Sequence, residues 1–145
     1  QSMPQADAAA GGKIFSSGKG ACLVCHRVGE TGGQIGPDLS TIGRIRTARD
    51  IFESILYPSE SIARDFDTFE VKLKSQDSVT HVGLIQSQSS AGIELVGLTG
   101  QKQLVAHEDL ASINRVPVSL MPMGLDQTLS PGELRDLVAF ILEQR

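Results

Sequence analysis

The sequence predicts a mainly α-helical domain with a small antiparallel β-sheet inserted between its second helix and a methionine-bearing loop near the C-terminus. Three observations predict it. Capped helical patterns open at Thr47 and Ser130, and the apolar period changes from helical to alternating at about Phe66. A Gly-rich stretch over residues 18–39 fits no strand pattern and carries Cys22-Leu23-Val24-Cys25-His26. A chain of 145 residues supports one cored domain, not two full-sized ones. Residues 4–145 therefore read as a single domain, with 66–116 as its β-rich insert.

Each element follows from local chemistry. Residues 5–17 form the first helix, with Ile14 and Phe15 on its apolar side. Gly11 and Gly12 lower helix propensity there, which predicts close approach by another element. Thr47-Ala48-Arg49-Asp50 is a capping box, and Ile51, Phe52, Ile55 and Leu56 follow at helical spacing until Pro58. Phe69, Val71 and Leu73 alternate with Glu70, Lys72 and Lys74 as in a half-buried strand. A turn at Ser75–Ser78 leads into strands over Val79–Ile85, Ile93–Leu98 and Lys102–Ala106, a meander with hairpin-like connections. Ile113–Val116 adds a short strand. Ser130-Pro131-Gly132-Glu133 then supplies an N-cap, Pro at the first helical position and the acidic half of a capping box. Leu134, Leu137, Val138, Ile141 and Leu142 make the apolar stripe of the closing helix.

Composition narrows the function classes. The formal net charge is -4, with no basic tract, so nucleic acid is excluded as an expected partner. No run of about 18 apolar residues occurs, so no membrane span is expected. Residues 1–10 lack both a basic and an apolar signal region. The chain reads as a mature or trimmed domain cut from a longer exported protein. It has no Trp, five Phe and one Tyr, and a chain this poor in large side chains calls for something else to fill its core.

The motif Cys22-x-x-Cys25-His26 is the main chemical signal. On a short helical turn these three positions share one face. Two thiols there reach the two vinyl groups along one haem edge, and the adjacent imidazole reaches the iron. Three other readings use the same residues. A zinc site needs four ligands, and only His81 and His107 remain, neither in ligand spacing. A thioredoxin-like dithiol needs a βαβ context that the pattern lacks. A chance pair is the third.

Gly12-x-x-Phe15, C-x-x-C-H, Gly36-Pro37-Asp38-Leu39, Met121-Pro122 and the Leu/Phe-rich closing helix together resemble the class I cytochrome c superfamily, over residues 8–58 and 117–144. Asp65-Phe66, Gly83-Leu84-Ile85 and Ser119-Leu120-Met121-Pro122-Met123-Gly124-Leu125 resemble more closely the haem-binding domain common in planctomycetes and verrucomicrobia. That domain is often fused to large dehydrogenase-like or β-propeller proteins.

The resemblance implies a cytochrome c fold carrying the β-insert, with one covalent haem c attached through Cys22 and Cys25. It makes His26 the proximal iron ligand, with the Pro37 carbonyl accepting from its Nδ1–H. It makes Met121 the distal ligand, with Met123 as the internal rival. Arg44 and Arg46 are candidate partners of the haem propionates. Phe15 and Phe140 resemble the residues where the terminal helices cross, with Gly11 or Gly12 allowing the approach.

The expected activity is one-electron transfer, without enzymatic turnover, for a periplasmic dehydrogenase that is either a separate redox partner or a fused domain. A haem-based ligand sensor or peroxidase is the alternative, and a docking role for the β-insert is another. Periplasmic or otherwise exported localisation follows, because covalent haem attachment is completed outside the bacterial cytoplasm.

Overall fold

The computed structural model describes residues 5–75 and 79–145. Gln76-Asp77-Ser78 of the expected turn lie outside the described residues, as do residues 1–4. Helix α1 (Ala8–Ser16) starts where Asp7 Oδ1 accepts from the Ala10 N–H at 3.0 Å. The four-residue helix α2 (Cys22–Cys25) follows, then a two-stranded ladder of β1 (Arg27–Val28) and β2 (Thr31–Gly32). Helix α3 (Ala48–Leu56) and the closing helix α4 (Pro131–Glu143) both begin with the full capping boxes that Thr47/Asp50 and Ser130/Glu133 encode.

Between α3 and α4 lies an antiparallel sheet of β3 (Thr68–Leu73), β4 (Thr80–Gln88), β5 (Gly92–Val96), β6 (Lys102–Ala106) and β7 (Leu110–Val116), in spatial order β6-β5-β4-β3-β7. This corrects the mainly α expectation. The described chain is 33% helical and 26% strand, so the fold is mixed α/β. The sheet is also not small. β7 is a full strand because Val116 back to Ser112 pairs residue for residue with Thr68 to Lys72, although its own sequence alternates poorly. β4 continues past Ile85 into Gln86-Ser87-Gln88 because its ladder with β5 resumes beyond an irregularity at Ile85/Ser87. The β1–β2 ladder within residues 18–39 is a further departure from the sequence reading, and Gly29 at φ +60° makes its turn.

Two separate apolar clusters result. Phe15, Ile51, Ile55, Leu129, Leu137, Val138 and Ile141 form one, drawn from α1, α3, α4 and the turn before α4. Val71, Leu73, Ile93, Leu95 and Val105 form the other, wholly within the sheet. The helical cluster is closed where α1 crosses α4. A Cβ on Gly11 would lie 1.9 Å from the Asp136 carbonyl oxygen, so only glycine allows this approach. The Phe15 and Phe140 rings meet beside it, 5.4 Å apart and tilted by 47°.

Two predictions follow from these contacts. Gly11→Ala forces the helices apart and is expected to cost about 1–3 kcal/mol in denaturant unfolding. Gly18→Ala, where a Cβ would meet nothing within 4 Å, stays within about 0.5 kcal/mol of the wild type. The second concerns Glu133, which ion-pairs with Lys19 at 2.6 Å and accepts from the Ser130 N–H at 2.8 Å. The Lys19 ammonium first, then the Ser130 backbone, hold its carboxyl down to about 2 from an ordinary 4.5. A carboxylate depressed on folding contributes stability that is present above 4.5 and lost as pH falls toward 2. Glu133→Gln therefore flattens the denaturant midpoint across that window, and an unchanged acid slope would refute the assignment.

Candidate functional site

The site begins with the backbone ahead of α2. Ala21 stands in the left-handed region at φ 53°, ψ 21°, and turns the chain into Cys22–Cys25. The His26 N–H then bonds the Cys22 carbonyl at 2.8 Å, which places the imidazole at the end of this helical turn. The following loop is laced back onto the motif. Gly33 N–H donates to the Leu23 carbonyl at 2.9 Å, Gly36 N–H to Cys25 at 2.8 Å, and Leu39 N–H to Arg27 at 2.9 Å. These bonds bring Gly36 and Pro37 against the His26 ring.

The ring is fixed on one side by Pro37. His26 Nδ1 lies 2.8 Å from the Pro37 carbonyl oxygen. A carbonyl can only accept, so Nδ1 carries the proton and the neutral ring leaves its lone pair on Nε2. Burial pushes the His26 pKa below its ordinary value, and the Pro37 bond opposes that shift less strongly. A Cβ on Gly36 would lie 2.6 Å from Cε1 of the ring, so this glycine is part of the histidine's seat. Neither cysteine is bridged. Burial pushes both thiols up from their ordinary pKa, the reverse of the depressed values that mark a reactive dithiol.

Cys22, Cys25, His26, Pro37 and Met121 line one cavity of about 660 Å³. Of the helical cluster's buried residues, Phe15, Ile51, Ile55, Leu129, Leu137 and Ile141 line it too. These six residues are only 1–7% exposed, so they pack against one another and also form part of the cavity wall.

No family model matches the chain, and no curated protein matches it significantly. The chemistry of the site is therefore argued from its own residues. Among the described residues, no group of three or more His, Cys, Asp or Glu is arranged to hold a metal ion, so a zinc reading of the motif lacks a donor set. A planar, largely apolar cofactor with an attachable edge fits what is present: two reduced thiols, one imidazole nitrogen with a free lone pair, and one thioether on a shared apolar wall.

The structure places the candidates differently relative to the cavity wall. Met121 lines the cavity and packs against the helical cluster, whereas Met123 is 76% exposed and does not line it. Arg46 lines the cavity, and Arg44 does not. His81 and His107 lie outside the cavity lining. His107 follows β6, and its Nε2–H donates to the Ser89 carbonyl at 2.8 Å.

Sequence reasoning missed one wall of the cavity, made by the connection between α3 and β3. Tyr57, Pro58, Ile62, Arg64 and Phe66 line it, with Leu84 contributed by β4 and Leu98 by the turn between β5 and β6. Its only sequence signal was the Asp65-Phe66 pair, and Asp65 proves to be in the left-handed region at φ 68°.

Gly36→Ala tests the seat of the histidine. A methyl group there displaces the ring from Pro37, so in ¹⁵N NMR the Nδ1 proton is expected to be protected in the wild type and to exchange rapidly or disappear in the variant. An unaltered Nδ1 signal would show that the ring is held by something else.

Proposed function

We propose that this chain is a mono-haem c-type cytochrome performing one-electron transfer, with one haem c attached covalently through Cys22 and Cys25. The observation that carries the reading is that Cys22, Cys25, His26 and Met121 line one largely apolar cavity, with His26 Nδ1 taken up by the Pro37 carbonyl. A haem held there supplies a one-electron iron couple.

The chain's own residues account for the rest. Cys22 and Cys25 are reduced, the form that adds to vinyl groups without an oxidant. His26 offers Nε2, and the Pro37 carbonyl fixes its ring and raises its basicity as a ligand. Met121 offers a soft, neutral thioether, which favours the reduced iron relative to a second imidazole. With two protein ligands no coordination position remains for a substrate, so the role is electron transfer rather than enzymatic turnover. Arg46 stands at the cavity as a candidate partner for a propionate.

A net charge of -4 suits a redox partner, or a fused dehydrogenase domain, that presents a positive patch. Covalent attachment outside the bacterial cytoplasm makes the periplasm or another exported location part of the same proposal. Among the described residues, no helix is long and apolar enough to cross a membrane.

The test is to produce the chain in a periplasm equipped for haem attachment. One haem per chain is expected to survive denaturation, and Cys22→Ala with Cys25→Ala is expected to release it. The spectrum should be six-coordinate and low-spin, with a weak sulfur-to-iron band near its red edge that Met121→Ala abolishes and Met123→Ala preserves. A five-coordinate, high-spin ferric protein that binds CO rapidly once reduced would overturn the electron-transfer reading. A band that survives Met121→Ala would overturn the ligand assignment alone.

A further inference from the structure

Met121 belongs to residues 117–124, which have no helix or strand of their own. A side chain on an irregular loop is placed only as well as the loop's backbone is held. Two side-chain hydrogen bonds hold this one. Ser119 N–H donates to Ser59 Oγ at 3.1 Å, and Met121 N–H donates to Ser119 Oγ at 3.1 Å. Both are partly buried, and the first joins residues 60 positions apart.

Ser59 is itself tied to α3. Tyr57 N–H bonds the Glu53 carbonyl at 2.8 Å at the end of the helix, and Glu60 N–H bonds the Tyr57 carbonyl at 3.0 Å to close the turn that contains Ser59. Ser59 and Ser119 also stand on either side of the sheet, which runs from Thr68 to Val116. Their bond closes the neck through which the chain leaves for the sheet and returns. Ser59 does not line the cavity, whereas Ser119 and Met121 do.

We infer that Ser59 is a positioning residue that anchors the Met121 loop to the end of α3, through Ser119, across the neck of the sheet. The inference rests on the reading of Met121 as an iron ligand. Its physical content is specific. A hydroxyl acceptor at 59 satisfies the Ser119 N–H, the seated Ser119 side chain satisfies the Met121 N–H, and the thioether is thereby held against the helical cluster. Loss of Ser59 frees the loop without altering either donor atom of the iron site.

The experiment uses the haem-loaded chain and reads two signals. One is amide hydrogen exchange at residues 119 and 121. The other is the rate of CO binding to the reduced protein, which requires Met121 to leave. A partly buried hydrogen bond of ordinary strength corresponds to about a threefold to tenfold effect. Ser59→Ala is expected to accelerate exchange at both amides and CO binding by about that factor, with amides in α4 unchanged. Ser59→Thr keeps the acceptor and is expected to restore both signals.

Ser119→Ala retains the 119 N–H and removes only the acceptor for Met121, so it is expected to release the 121 amide alone. It also keeps the test available if Ser59→Ala fails to fold. Exchange at 119 that is unchanged in Ser59→Ala, or at 121 that is unchanged in Ser119→Ala, would overturn the inference. If Met121→Ala abolishes the sulfur band while Ser59→Ala leaves CO binding at the wild-type rate, the ligand reading stands and the positioning role falls. If the band survives Met121→Ala, the ligand reading falls and the positioning role falls with it.

Discussion

The helices of this protein close around a cavity, and that constraint governs the rest of the structure. Six of the seven buried residues of the helical cluster pack on one another and also form part of that cavity's wall. Among the contacts between helices is the α1–α4 crossing, where Gly11 removes the side chain that would hold them apart. That crossing fixes one end of the cavity. The backbone lacing of Gly33, Gly36 and Leu39 onto the Cys22–Arg27 segment fixes another. Both devices work without large side chains, which matches a chain with no tryptophan and few other aromatics.

The sheet is consistent with the same constraint. A sheet that drew its burial from the helical core would have to fill the cavity to be stable. Here the sheet keeps Val71, Leu73, Ile93, Leu95 and Val105 in a cluster of its own. Among the described residues that line the cavity, Leu84 comes from β4 and Leu98 from the turn between β5 and β6. The result is a second layer of fold that encloses the site without competing for its interior. Leu98 is 57% exposed and Tyr57 59%, so the edge of the cavity on this side meets solvent.

Much of the helical frame was legible in the sequence because its signals are local. The capping boxes at Thr47/Asp50 and Ser130/Glu133 are complete within four residues, and the structure contains both. The Cys22–His26 motif is complete within five residues, and the Pro37 acceptor, which the resemblance implied, is joined to it by the 2.8 Å bond. The extent of the sheet was not legible, because its strands are defined by partners far along the chain. Leu110–Val116 has a poor alternating pattern and becomes a strand through its register with Thr68–Leu73. The preference for Met121 over Met123 rested on the resemblance, not on local pattern, for a related reason. Two residues apart in an irregular loop, they differ only in what the rest of the fold packs against them. The wall over residues 57–66 carries no periodicity at all, and its role exists only in three dimensions.

The electrostatics of the site bear on how the proposed electron transfer is tuned. Every group on the cavity wall that is offered as a ligand or attachment point is held uncharged: His26 is kept neutral by burial, the two thiols are pushed up, and a thioether cannot ionise. The charged residues that line the cavity are Arg46, Asp50, Glu53, Glu60 and Arg64, and Asp50 is committed to the Thr47 cap. In a medium of low dielectric, neutral ligands would leave the charge of a bound haem iron uncompensated, which would favour the less charged reduced state. The same burial that keeps His26 available as a lone-pair donor would therefore also bias the proposed couple toward a higher potential.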